Sequence, residues 1–399
     1  MTAYDDLMAF QRETEALAQI AGRLGWDQET MMPRGAADQR GEEMGAMEGV
    51  LHARRTDPRL ADWLEEAEPE DDEAQAQLRL IRRSYDRATK IPAELAQALA
   101  RVTSTAQGIW AEARAAENVA DFLPTLAEVI DLKREEAAAL AQGGDLYDAL
   151  MDDYEPGATA EIAAAMFDRM RPRLVRLREA VLAAPAPAPL NHHFGENAQL
   201  RFARDLAARF GYDFTRGRLD LAVHPFSSGS GMDARITTRV VEREPFNCFY
   251  STIHEVGHAS YELGIDPDYR LTPLGAGASM GVHESQSRIY ENQLGRSRAF
   301  TGWMFGEMRT RFDSDQVALG LRWAWSRHNQ NSQYSRRYTH AHSEPDGRIV
   351  PGRQRLGQCT DQRTRRAYLT GRDHRSGHGG TGQATVLRSA PVALGVHFL

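Results

Sequence analysis

His254-Glu255-Val256-Gly257-His258 places two imidazoles four residues apart with a carboxylate between them. On an α-helix, residues i and i+4 share a face, so both rings can aim a nitrogen at one ion. Glu255 would then lie beside the ion and not on it, where a base that takes a proton from an ion-activated water belongs. Two histidines on an ordinary helix would show the same local pattern, so the flanks matter. Pro245 suits a first helical position, Phe249, Ile253, Val256, Ser260 and Leu263 recur with a period near 3.6, and Gly264 suits the stop. Gly257 costs about 1 kcal/mol relative to Ala inside a helix, a hint that another backbone, or a substrate, passes close by.

A hydrolytic zinc site also needs a third protein ligand and one open position for water. Glu284, within Gly281-Val282-His283-Glu284-Ser285-Gln286-Ser287-Arg288, is the best candidate, and it opens a second amphipathic stretch through Ile289, Tyr290 and Leu294. Glu262 and Glu291 are rivals by proximity. Glu262, four residues beyond His258, would project a turn too far along the same helix.

The elements that must hold these side chains are mostly helical. The first 180 residues are rich in Ala, Glu, Arg, Leu and Met with helical periodicity, broken at 32–35, 91–92, 143–145 and 155–157. Ala184 to Pro189 alternates Ala and Pro and reads as a short extended connector, and the acidic run 65–73 as a solvated turn. Leu219–Val223 and Arg235–Val241 are β-branched and partly alternating, separated by the Gly-rich loop Ser227–Gly231, and predict a small antiparallel hairpin beside the histidine helix. An edge strand at 235–241 would hold a peptide by main-chain pairing, which implies broad specificity. Taken alone, Arg235 reads as a surface strand cation, Asp233 as a turn cap and His224 as a packed loop residue. Nothing ties His192-His193 to the site.

With 399 residues, 42% of them hydrophobic, the chain can bury a large core, as one large domain or two ordinary ones. A net charge of -8 argues against a nucleic-acid binder, since phosphate neutralisation needs clustered Lys and Arg. The sequence contains no apolar run long enough to span a membrane, and its acidic first residues differ from a secretory leader, so the cytoplasm is the expected compartment. The 2 cysteines are too few for a disulfide framework, and Cys248 is expected to pack on the histidine helix.

Together with His224-Pro225-Phe226, Asp233-Ala234-Arg235-Ile236-Thr237, Trp26-Asp27-Gln28-Glu29-Thr30 and the segment Tyr147 to Gly157, these residues resemble the thermostable carboxypeptidase family of metallocarboxypeptidases, peptidase family M32. The resemblance runs from about residue 1 to about 312. It implies a mainly α, multi-helix, cleft-bearing fold in which 1–190 and 191–320 form one continuous unit. By that resemblance His254, His258 and Glu284 hold one divalent ion, Zn2+ with Co2+ as the alternative, and Glu255 is the general base. Substrate-side roles fall on His224, Asp233, Arg235, Thr237, His283 and Gln286, with His283 and His224 as donors to the oxyanion. The activity implied is release of C-terminal residues from peptides by a homodimer. A helical zinc oligoendopeptidase shares the HExGH helix and a downstream Glu. The other alternative is a non-catalytic helical protein whose metal is structural or absent.

The family's two C-terminal motifs, IRxxAD and GxxQDxHW, which recognise the free carboxylate of the substrate, are absent. Their place is taken by a basic tail, 321–399, with 13 Arg against 4 acidic residues and 6 of the 13 His. Such a segment is a poor core builder and reads as disordered, or as an appendage for an acidic surface or a metal. The reading preferred here is a frame change: codons for Tyr334 to Tyr338, shifted by one base, can spell Ile-Arg-Val-Asp. Sequencing the gene upstream of Tyr334 tests this, and an intact frame refutes it.

Overall fold

The computed structural model describes residues 2–185 and 192–313; the end of the connector and the basic tail lie outside them. The described chain is mainly α, as expected. Helices α1 (Ala3–Thr30), α2 (Ala37–Arg55), α3 (Arg59–Glu66), α4 (Asp72–Ala88), α5 (Ala93–Ala115), α6 (Leu123–Ala141), α7 (Leu146–Tyr154), α8 (Ala160–Leu182) and α9 (Glu196–Arg209) fill the first half. All four expected breaks fall between consecutive helices, because Pro lacks the donor a helix interior needs and Gly has no side chain to hold it there. Thr2 opens α1 with a reciprocal capping box to Asp5, and Asp71, in the acidic run, caps α4 through the Ala74 amide.

The β region differs from the hairpin read in the sequence. Three strands, β1 (Leu219–Leu221), β2 (Ser227–Ser230) and β3 (Asp233–Thr238), pair in the order β1-β3-β2. β1 runs parallel to β3 with Leu219 opposite Ile236, and β2 runs antiparallel to it with Ser230 opposite Asp233. The Gly-rich segment taken for a loop is therefore itself a strand. Ser and Gly have poor β propensity, so their pairing is imposed by the neighbouring backbone. At Gly229, φ is +109° and an added Cβ would fall 1.9 Å from the Asp233 carbonyl oxygen, so only glycine fits. β3 is central, which leaves 235–238 no free edge for an added peptide strand; among the described residues the open edges belong to β1 and β2.

One core surrounds α10 (Pro245–Leu263), which carries both histidines. Phe249, Ile253 and Val256 are fully buried against Phe194, Phe202, Phe210 and Ile236. Each such side chain contributes about 1.5–3 kcal/mol relative to exposure. The Thr238 hydroxyl donates to the Cys248 carbonyl at 3.0 Å and ties β3 to the start of α10. Cys248 is buried there, its thiol pushed up to about 11 by burial, in keeping with a packing role. After α10 the chain enters α11 (Met280–Arg288), runs on through a π turn at Ile289–Leu294, and ends the described part with α12 (Arg298–Phe312).

Candidate metal centre

α11 crosses α10 at Gly257. An added Cβ there would meet the Ser287 Cα at 2.6 Å, so the glycine marks the passage of another backbone. This close crossing brings Glu284 over the histidine face. His254 Nε2 and His258 Nε2 are 3.1 Å apart, and Glu284 Oε2 lies 3.5 Å from the first and 3.3 Å from the second. These three atoms form the one cluster of metal-ligating donors among the described residues. A tetrahedral zinc centre with bonds of about 2.0–2.2 Å separates neighbouring donors by roughly 3.3–3.6 Å. Both sides to Glu284 lie in that range, the 3.1 Å side between the histidines is slightly shorter, and the N,N,O donor set suits such an ion.

The surroundings orient two of the donors. Glu291 Oε2 accepts from His254 Nδ1 at 3.0 Å and also takes Arg288, while its Oε1 takes Arg296 at 2.6 Å. A ring that donates through Nδ1 keeps its Nε2 lone pair for an ion. Glu284 Oε1 accepts from Arg288 Nε at 2.7 Å and Oε2 accepts from the Ser287 hydroxyl at 3.1 Å, which holds the carboxylate in place. The Gly281 amide, in the first turn of α11, donates to Glu155 Oε2 at 2.8 Å; Glu155 belongs to the 147–157 segment. In the same segment, Asp152 pairs with Arg83, and Asp153 pairs with Arg87.

Charge on this cluster is strongly perturbed. Burial pushes Glu255, 5% exposed, up to about 8; His254 lowers it, and Glu284 and Glu291 add to the rise. Burial alone would lower His254, but its contacts with Glu284 and Glu291 and the field of Glu255 reverse this and raise it to about 9. Burial also dominates at His258 and pushes it down to about 4, with help from the neighbouring His283 and His254. At Glu284, burial opposes ionisation, yet the two histidines hold the carboxyl far below the usual range. The protein alone thus puts one proton where a cation would sit.

The remaining residues named from sequence lie as follows. His283 Nδ1 is 2.7 Å from His258 Nδ1, and His283 Nε2 is 2.8 Å from Glu262 Oε1. Both ring nitrogens are committed behind His258, so His283 is no oxyanion donor here, a correction to the role expected of it. Gln286 reaches the Tyr290 hydroxyl. Asp233 Oδ1 and Oδ2 each accept from Arg235 at 2.8 Å, and Arg23 adds an ion pair from α1. Arg235 also covers the Trp26 ring at 4.7 Å. Thr237 is buried, and its hydroxyl accepts from the Phe226 amide at 2.7 Å and donates to the Phe226 carbonyl, clamping 224–226 to β3. His224 is exposed, with Nδ1 2.9 Å from the Pro225 carbonyl. None of these six lies among the metal-ligating donors. Sequence reasoning left Glu291 as a rival ligand and gave Glu155 no role. An acidic side chain seven residues past Glu284, in phase with it over two helical turns, was the available signal for Glu291.

The chain matches the family described as Carboxypeptidase Taq (M32) metallopeptidase over residues 6–331, and it belongs to that family. It is 40% identical to Thermostable carboxypeptidase 1 of Thermus thermophilus over 332 residues, covering 78% of this chain and 65% of that protein. Carboxypeptidase 1 of Bacillus subtilis is 30% identical, with 74% and 60% covered. The chain therefore spans somewhat under two thirds of the length of these relatives. Among solved structures, the M32 carboxypeptidase of Deinococcus radiodurans R1 superposes with a TM-score of 0.71 at 37% identity, covering 81% of this chain and 67% of that one. The structure titled BsuCP superposes with a TM-score of 0.76 at 27% identity, covering 80% and 67%.

Proposed function

We propose that this chain is a zinc-dependent carboxypeptidase that releases C-terminal residues from peptides. The observation that carries the proposal is the triangle of His254 Nε2, His258 Nε2 and Glu284 Oε2, with the buried Glu255 following the first ligand on α10. A divalent cation held by these residues supplies a Lewis acid that lowers the pKa of water and polarises a carbonyl. Burial gives the Glu255 carboxylate the proton affinity a general base needs near neutral pH. It takes a proton from the attacking water at one carboxylate oxygen and returns it to the departing amine. Glu291 and Arg288 keep His254 and Glu284 aimed while this happens. The family's carboxypeptidase names support the terminal mode of cleavage.

Two measurements test this. The purified chain loaded with Zn2+ should hydrolyse a peptide with a free C-terminus and refuse the same peptide amidated. Equal cleavage of both would show an endopeptidase, and inertness toward both would show a non-catalytic chain. Glu255→Gln should retain the ion and lose about 100- to 10,000-fold in turnover, the range for a general base. Near-normal hydrolysis by this variant refutes the assignment.

A further inference from the structure

His254 and His258 are held from behind by different means. His254 Nδ1 meets a carboxylate, Glu291, whereas His258 Nδ1 meets another imidazole, His283, at 2.7 Å. Two imidazole nitrogens that close share a single proton, so one must donate and the other accept. Glu262 decides which. A carboxylate only accepts, so His283 must carry its proton on Nε2, 2.8 Å from Glu262 Oε1. Neutral His283 has one N–H, and with that on Nε2 its Nδ1 is an acceptor. His258 then has to carry its own proton on Nδ1, which frees the Nε2 lone pair for the triangle.

We propose that His283 and Glu262 are positioning residues that set the tautomer of His258 and thereby the strength of the metal centre, an inference that rests on the metal reading above. The surroundings allow the chain of contacts little freedom. The His258 and His283 ring planes are 15° from parallel with centroids 4.6 Å apart, Tyr261 packs edge-on against His283 with centroids 5.1 Å apart, and the Glu262 side chain is only 12% exposed. A Cβ on Gly277 would come within 3.1 Å of His283 Cδ2, so the loop before α11 closes directly on the pair. Glu262 thus does its work one turn beyond the ligands, through another ring.

The test is Zn2+ affinity by competition with a chelator, together with the visible spectrum of the Co2+-loaded protein. Partners of metal-bound histidines typically change affinity 10- to 100-fold when removed. His283→Ala should weaken Zn2+ binding by that range and shift the Co2+ spectrum. His283→Gln, which offers a neutral acceptor oxygen, should recover most of the affinity. Glu262→Gln should bind within a few-fold of the parent, because its amide oxygen still accepts, whereas Glu262→Met should lose tenfold or more. Unaltered affinity in His283→Ala, or equal losses in Glu262→Gln and Glu262→Met, overturns the inference. The Glu262 pair decides the matter even where His283→Ala fails to fold. A parent chain that binds no Zn2+ refutes the metal centre itself, a result distinct from a centre that forms but ignores Glu262 and His283.

Discussion

At residue scale, Gly257 is the most constrained position of the centre. Any side chain there meets the backbone of Ser287, which cannot swing aside as a flexible side chain would. Gly257→Ala would gain about 1 kcal/mol in helix propensity, yet overpacking of this kind costs typically 1–3 kcal/mol. The expected outcome is a net loss of stability in denaturant titration and, because α11 must move, weaker Zn2+ binding. Unchanged affinity would show that Glu284 does not depend on the crossing. His254 leads to a second prediction. Raised to about 9, it is protonated at pH 7 in the metal-free chain, while His258, lowered to about 4, is neutral. An ion must displace that proton. Zn2+ binding at pH 7 should therefore release at least the His254 proton, with a further contribution from Glu255, raised to about 8, and apparent affinity should fall as pH drops below about 9. Calorimetry in buffers of different ionisation enthalpy measures this; a buffer-independent heat contradicts it.

At the scale of elements, the site depends on helices held at fixed angles. Glu155, just past α7, takes the Gly281 amide of α11, and α7 is itself held by ion pairs. Arg87 on α4 joins Asp153 on α7 to Glu136 on α6, whose side chain is 7% exposed. Exposed pairs are worth about 0–1 kcal/mol and breaking fully buried ones costs about 3–5. Arg87→Ala, between these limits, is expected to cost about 2 kcal/mol in chemical unfolding. Burial would raise the Glu136 carboxyl, but Lys133 and Arg87 more than offset this and hold it below its ordinary 4.5. A depressed carboxyl stabilises the fold above the unfolded-state value and loses that contribution as pH falls through the folded value. Acid destabilisation below about pH 4.5 should thus be shallower in Arg87→Ala than in the parent. The α7 example also shows how far local signals reach. Pro156 and Gly157 mark where the helix ends, but which amide Glu155 would cap could not be read without the fold.

At the scale of the whole molecule, α8 stands apart. No side chain of its 23 residues is buried among the described residues, and Phe167 and Leu174 are each 53% exposed. Most of a helix's stability in a folded protein comes from packing one face against a core, and α8 lacks such a buried face among the described residues. Phe167→Glu and Leu174→Glu should each change the unfolding free energy of the full chain by no more than about 0.5 kcal/mol. A loss several times larger would reveal a cover for this face beyond residues 2–185 and 192–313. The large core around α10, by contrast, gathers residues from α9, β3, α10, the π turn and α12, so the candidate metal centre is built on the largest buried apolar cluster among the described residues.

The sequence by itself determined what depends on local geometry. Helix periodicity put His254 and His258 on one face, Pro245 and Gly264 bounded their helix, and Pro and Gly placed the breaks among the N-terminal helices. Glu284 stood out as the candidate third donor by chemistry and by resemblance to the family, and the structure brings it to the two histidines. Tertiary structure decided everything that depends on one segment meeting another. Glu262, Glu284 and Glu291 are the same residue type, and only the crossing of α10 by α11 at Gly257 makes one face the histidines, one support His254 and one support His283. The sheet followed the same rule. Strand pairing is a contact between distant backbones, and Ser227–Ser230 became a strand because β3 lay alongside, whatever its own propensity.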